Sequence, residues 1–177
     1  MALKATVCKA ELNIADMARG YYADHVLTLA QHPSENDERL MLRLLAFVLY
    51  AHEDLVFTKG LSEPDEPDIW QKDLTGTIEL WIDLGQPDEK RVMKACGRSR
   101  QVVVISYGTA VPIWWEGVAP KLARANNLVV KRLVVQGDTP LASFVQKNMK
   151  LQCTVQDGQL WLSDGDRSAQ IDAVTLR

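Results

Sequence analysis

Residues 76–96 read GTIELWIDLGQPDEKRVMKAC. From Ile78 to Leu84 the residues alternate as a strand does, with Ile78, Leu80, Ile82 and Leu84 on one face and Glu79, Trp81 and Asp83 on the other. Pro87 then stands where a helix opens, with Asp88 and Glu89 in its first turn. The strand carries two carboxylates in line, four residues and about 13 Å apart at strand rise. One wet strand face accounts for them without any function, and a site that needs paired acids accounts for them equally well.

Working outward, QVVVISYG at 101–108 is the unbroken apolar run of a strand covered on both faces. Upstream, HPSENDERLMLRLLAFVLYAHEDL gives the clearest helix, expected from about Glu35 to His52. Ser34 stands at its N-cap position, acids fill its first turn, and Leu42, Leu45 and Leu49 repeat at helical spacing. Between this helix and the opening strand lie a short strand in LVFTKG, an acidic Pro-rich connection, and a strand over Ile69–Lys72. Residues 35–106 therefore read α-β-β-β-α-β, a mixed sheet with helices packed against it.

Residues 3–14 and 21–30 form an N-terminal hairpin on their β-branched and aromatic content. Beyond Gly108, TAVPIWWEGVAPKLARANN is helical in part, LVVKRLVV is a strand and TPLASFVQKN a short helix. The C-terminal run reads as a β-meander, because Asp157-Gly158 separates two alternating segments as a two-residue turn does. No internal repeat and no low-complexity segment interrupts the 177 residues, a length that suits one domain with a substantial core.

The chain carries 20 Lys and Arg against 23 Asp and Glu, a formal net charge of −3, so it lacks an overall basic field for nucleic acid. No apolar window reaches the length of a spanning helix, and the N-terminus does not have the pattern of a secretory signal, which points to a cytoplasmic protein without membrane contact. Cys8, Cys96 and Cys153 are odd in number, far apart and without metal-ligand spacing, as reduced thiols are. His25, His32 and His52 show no ligand spacing either, and no nucleophile motif accompanies them.

The acids hold more interest. Glu38 lies four, seven and eleven residues before Leu42, Leu45 and Leu49 and shares their stripe, so it either complements the helix N-terminus or points into a site. Glu35 is expected to face solvent and to pair with Arg39 at four-residue spacing. Asp68 and Asp73 stand just upstream of Glu79 and Asp83, and converging carboxylates of this kind suit Mg²⁺ or Mn²⁺. The string PDEK at 87–90 is helix-opening chemistry rather than a motif. Trp114-Trp115 suits a core anchor better than a base-stacking platform.

The strings HPSENDERLMLRLLAFVLYA, EPDIWQKDLTGTIELWIDLGQPDEKRVMKAC and LQCTVQDGQLWLSD resemble the YaeQ family of small bacterial proteins over the whole chain. The resemblance implies a single domain over 1–177 with a variation of the PD-(D/E)XK, restriction-endonuclease-like core at about 35–106. It implies Glu38 as the helix acid, Asp83 or Glu79 as the strand acid, and Asp68 or Asp73 as the preceding aspartate. The motif lysine is missing, since Trp81 follows Glu79 and Gly85 follows Asp83 at the second position. Lys90 or Lys94 of the next helix would replace it.

Two functions follow as expectations. One is a phosphodiesterase acting on nucleic acid with Mg²⁺ or Mn²⁺, in which Asp68, Glu79 and Asp83 hold metal while Glu38, Asp83 and Lys90 serve catalysis. The other is a non-catalytic module on a degenerate nuclease-like fold that binds nucleic acid or protein. Both expect Glu79, Trp81 and Asp83 to line one cleft, with Trp81 partly exposed.

Overall fold

The computed structural model describes residues 4–59, 61 and 63–177. Along the chain run β1 (Thr6–Asp16), β2 (Tyr21–Gln31), α1 (Asp37–Leu49), β3 (Leu55–Phe57), β4 (Ile69–Lys72), β5 (Ile78–Leu84) and α2 (Glu89–Arg98). They are followed by β6 (Ser99–Tyr107), α3 (Val111–Val118), β7 (Leu128–Gln136), β8 (Asn148–Gln156), β9 (Gln159–Ser163) and β10 (Ser168–Thr175). Short 3-10 turns occupy Ala119–Leu122 and Leu141–Phe144, the second where the sequence suggests a helix. The fold is mixed α/β. It divides into two compact units, residues 1–49 with 135–173, and residues 50–134 with 174–177.

In the first unit the strand order is β2-β1-β8-β9-β10. The β1–β2 hairpin pairs Thr6 with Gln31 through Asp16 with Tyr21, close to the bounds read from the sequence. Cys8, Ala10, Leu12 and Ile14 are buried while Lys9, Glu11 and Asn13 are exposed, so β1 follows its period of two. The meander turns at Asp157 and Gly158, whose φ values of 52° and 75° are those a two-residue hairpin turn requires.

Helix α1 departs from the one-sided stripe. Every residue from Leu40 to Leu49 is buried, so only its first turn emerges. Phe47 meets His25 of β2 edge-on at 5.2 Å, and Arg43 donates to the Ala30 carbonyl at 3.0 Å. The N-cap is Asn36, whose Oδ1 accepts from the Arg39 amide at 2.8 Å, whereas Ser34 is turned toward His32 Nδ1 at 2.6 Å. Glu35 is buried, not solvent-facing, because it accepts from both Arg39 at 2.6 Å and Arg43 at 2.8 Å. The expected Glu35–Arg39 pair forms, and Arg43 completes it.

In the second unit the order is β7-β6-β5-β4-β3, with β5, β6 and β7 parallel and β3, β4 and β5 antiparallel. Helix α2 supplies the crossover that a parallel β5–β6 pair needs. Asp88 caps it, accepting from the Arg91 amide at 2.8 Å, so Pro87 lies before the cap and not inside the helix. Trp81 packs with Val92 and Ala95 of α2 and with Val102 and Val104 of β6. Ile78 joins that cluster too, because β4–β5 pairing slips by one residue: Gln71 faces Leu80 but Lys72 faces Ile78, leaving Glu79 as the extra residue of a bulge. The strict alternation over Ile78–Leu84 therefore holds only from Leu80 onward.

Candidate functional site

Register brings the two central acids together. Ile69 pairs with Ile82, so Asp68 and Asp83, one step further along each strand, oppose each other at the end of the β4–β5 hairpin. Both are buried. Asp68 Oδ2 accepts from the Leu84 amide at 2.8 Å, while its own amide donates to the Ile82 carbonyl at 3.1 Å. These bonds fix Asp68 as a brace between strands.

Asp83 is held by Arg91 of α2. Arg91 Nε donates to Asp83 Oδ2 at 2.9 Å and Nη2 to Oδ1 at 3.0 Å, a two-pronged pair of the kind a planar guanidinium forms with a carboxylate. The same guanidinium donates to the carbonyls of Pro64 at 2.7 Å and Glu66 at 2.9 Å. Burial pushes the Asp83 carboxyl above its ordinary range, against the pull of Arg91, and the charge of Asp68 adds to the push. Arg91 moves up as well, chiefly through its bond to Asp83. Each partner accommodates a charge that would otherwise be costly in this place.

Arg91 belongs to a stripe at helical spacing with Lys94 and Arg98. Lys94 Nζ reaches Asp65 Oδ1 at 3.0 Å and Arg98 donates to the Asp65 carbonyl at 3.1 Å. The Lys94 bond holds the exposed Asp65 carboxyl below its usual range. Trp81 lies beneath this stripe, with the Arg98 and Arg91 guanidinium carbons 5.2 Å and 5.9 Å from its ring centroid. It is 2% exposed, so the expectation of a partly exposed tryptophan lining a cleft is corrected: α2 covers the face that the sequence alone leaves wet.

The remaining candidates have surroundings of their own. Glu79 is half-buried and pairs with Arg100 at 3.5 Å. Asp73 is half-buried just before a turn, and its Oδ1 accepts from the Thr75 hydroxyl at 2.6 Å, the bond that does most to lower its carboxyl, and from the amides of Thr75 at 2.8 Å and Thr77 at 3.0 Å. Lys90 is exposed, and Glu38 is exposed on the first turn of α1, in the first unit. Among the described residues no group of three or more His, Cys, Asp or Glu side chains is arranged to hold a metal ion. Sequence reasoning passed over Arg91 in favour of its neighbour Lys90; the legible signal was the spacing of Arg91, Lys94 and Arg98.

Cys8 and Cys153 are buried and Cys96 half-buried, all as free thiols, and burial raises Cys153 to about 12. Among the described residues no helix is long and apolar enough to cross a membrane.

Fold and site together define a mixed α/β protein with a buried aspartate locked by an arginine. The chain belongs to the YaeQ family: the family model described as YaeQ protein matches residues 1–173. It is 47% identical over 172 residues to the protein of Salmonella typhi named "Uncharacterized protein YaeQ", covering 97% of this chain and 95% of that one. The protein of the same name in Escherichia coli K12 is 44% identical over 173 residues, covering 97% and 96%. The crystal structure of the YaeQ protein from Xanthomonas axonopodis pv. citri superimposes with a TM-score of 0.94 at 51% identity over 98% of each chain. That of the YaeQ protein from Pseudomonas syringae gives 0.89 at 30% identity, over 98% of this chain and 96% of the other.

Proposed function

We propose that this protein is a non-catalytic, protein-binding module on a degenerate PD-(D/E)XK-like core, in which a guanidinium takes the place that a nuclease gives to a divalent ion. One observation carries the reading: both oxygens of Asp83 are engaged by Arg91. A cation brought to that carboxylate meets a fixed positive charge a hydrogen-bond length away. The acids as they stand do not fit a metal, since Asp68 braces the Leu84 amide and Glu79 faces Arg100. A protein partner is favoured over nucleic acid because Arg91, Lys94 and Arg98 are turned to the chain's own carboxylates and carbonyls instead of offering a cationic strip.

A second reading has its own support. Pro67-Asp68 and Asp83 stand side by side, as the paired acids of a nuclease-like core would, and with Arg91 displaced Asp68 and Asp83 would hold Mg²⁺ or Mn²⁺, Lys90 supplying positive charge.

Calorimetric titration with Mg²⁺ and Mn²⁺, together with incubation on single- and double-stranded DNA and RNA, separates the two. The binding-module reading expects no saturable metal binding and no cleavage. Metal-dependent cleavage that disappears in Asp83→Ala overturns it in favour of the nuclease.

A further inference from the structure

Strand β2 has β1 on one side and stands at the end of the strand order. Its other edge pairs with no strand among the described residues. At 11 residues it is twice the usual strand length, and its sequence YYADHVLTLAQ contains no proline and no lysine. β3, the terminal strand of the second unit, is protected by being only 3 residues long. β2 has no such guard among the described residues; Arg43 caps its Ala30 carbonyl. Its outward face presents Val26 at 76% exposure and Tyr22 at 65%. On the inner face His25 rests on Phe47 of α1, so the strand is held flat from one side.

We propose that β2 pairs antiparallel with β2 of a second copy of this chain, across a two-fold axis through Val26. Charge selects this register. With Val26 on the axis, Asp24 opposes Thr28 of the second copy. Thr28 is paired with Lys9 of its own β1, so each Asp24 lies two strand spacings, about 10 Å, from a Lys9 of the other chain. Centring on Asp24 sets the two aspartates against each other. Centring on His25 sets Asp24 beside Val26, whose β1 neighbour is Glu11, an acid facing an acid. Only the Val26 register joins opposite charges twice at that spacing. It also places Tyr22 over Ala30, and on the inner face Ala23 against Leu29 and His25 against Leu27. Because the contact uses the same edge in both chains, assembly closes at two.

Sedimentation equilibrium of the full chain tests this, with a mass of twice 19.8 kDa expected at about 100 µM, well above a micromolar dissociation constant. Val26→Lys puts two like charges on the axis and should leave a monomer with an unchanged circular dichroism spectrum. At low ionic strength Asp24→Lys and Lys9→Asp should each weaken the dimer roughly tenfold, since two unlike pairs about 10 Å apart become like pairs, and the double variant Asp24→Lys with Lys9→Asp should restore it, a rescue that a purely structural effect would not produce. A wild-type chain that stays monomeric overturns the proposal and leaves the edge to an extended segment of some other protein. A dimer indifferent to Val26→Lys and to both charge reversals also overturns it.

Discussion

The sheet of the first unit and the β4–β5–β6 region of the second place polar residues on strands under opposite conditions. On β1 the charged and amide side chains Lys9, Glu11 and Asn13 lie on a wet face, and their alternation with Cys8, Ala10, Leu12 and Ile14 can be read directly. On β5 the same alternation of Trp81 and Asp83 with Leu80, Ile82 and Leu84 marks two covered faces. Period two reports that side chains diverge. It does not report what covers them, and a buried charge declares itself only through its partner.

Breaking the Asp83–Arg91 pair should have the largest effect. Arg91→Ala leaves Asp83 buried without its counter-charge, and with the Arg91 side chain already 34% exposed the expected loss is about 2–3 kcal/mol, below the range for a fully buried pair. Urea denaturation measures it. Glu79→Ala, which removes an exposed contact to Arg100, should cost under about 0.5 kcal/mol by the same method. Equal losses would erase the distinction drawn between the two acids of β5.

Helix caps offer a matched pair of smaller tests, one in each unit. Asn36→Ala on α1 and Asp88→Ala on α2 each remove a side-chain bond to a first-turn amide and should each cost about 1 kcal/mol in thermal or urea unfolding. Ser34→Ala should cost measurably less than Asn36→Ala, since Ser34 caps nothing.

The smallest effect expected is a pH slope confined to the first unit. Burial lowers His25, outweighing the opposing pull of Asp24. The folded protein therefore binds fewer protons than the unfolded chain between the lowered value and the ordinary one, near about 6.5, so stability rises with pH across that window. Its contribution is complete above the ordinary value and is lost as pH falls toward the lowered one. His25→Gln should flatten the melting temperature over this interval; an unchanged slope assigns it to another group.

Much of the fold was legible because its signals are local. The β1–β2 hairpin, the strand at Ile69–Lys72 and the turn at Asp157-Gly158 come from residue types and spacings within a few positions. The N-cap was misplaced on Ser34 because Asn36 offers an equivalent oxygen two residues on, and only geometry decides between them. The candidate site was less legible. Asp68 and Asp83 were identified, but their opposition depends on the hairpin register, and the bulge at Glu79 is invisible in a pattern that still alternates. Glu38 shares the spacing of Leu42, Leu45 and Leu49, which leaves open whether it serves the helix N-terminus or a site; α1 is buried all round beyond its first turn, where a stripe carries no direction. Lys90 and Arg91 are adjacent in sequence and about 100° apart around the helix, so the choice between them requires the helix phase.

The most direct test of the account is the coupling between Asp83 and Arg91, measured by urea denaturation of Asp83→Asn, Arg91→Met, the double variant and the wild type. If the guanidinium is the counter-ion this carboxylate depends on, the double variant should be more stable than the sum of the single losses predicts, with a coupling energy of about 2 kcal/mol. Additive losses, with coupling under about 0.5 kcal/mol, would contradict it and return Asp83 to the role of an acid awaiting a different cation.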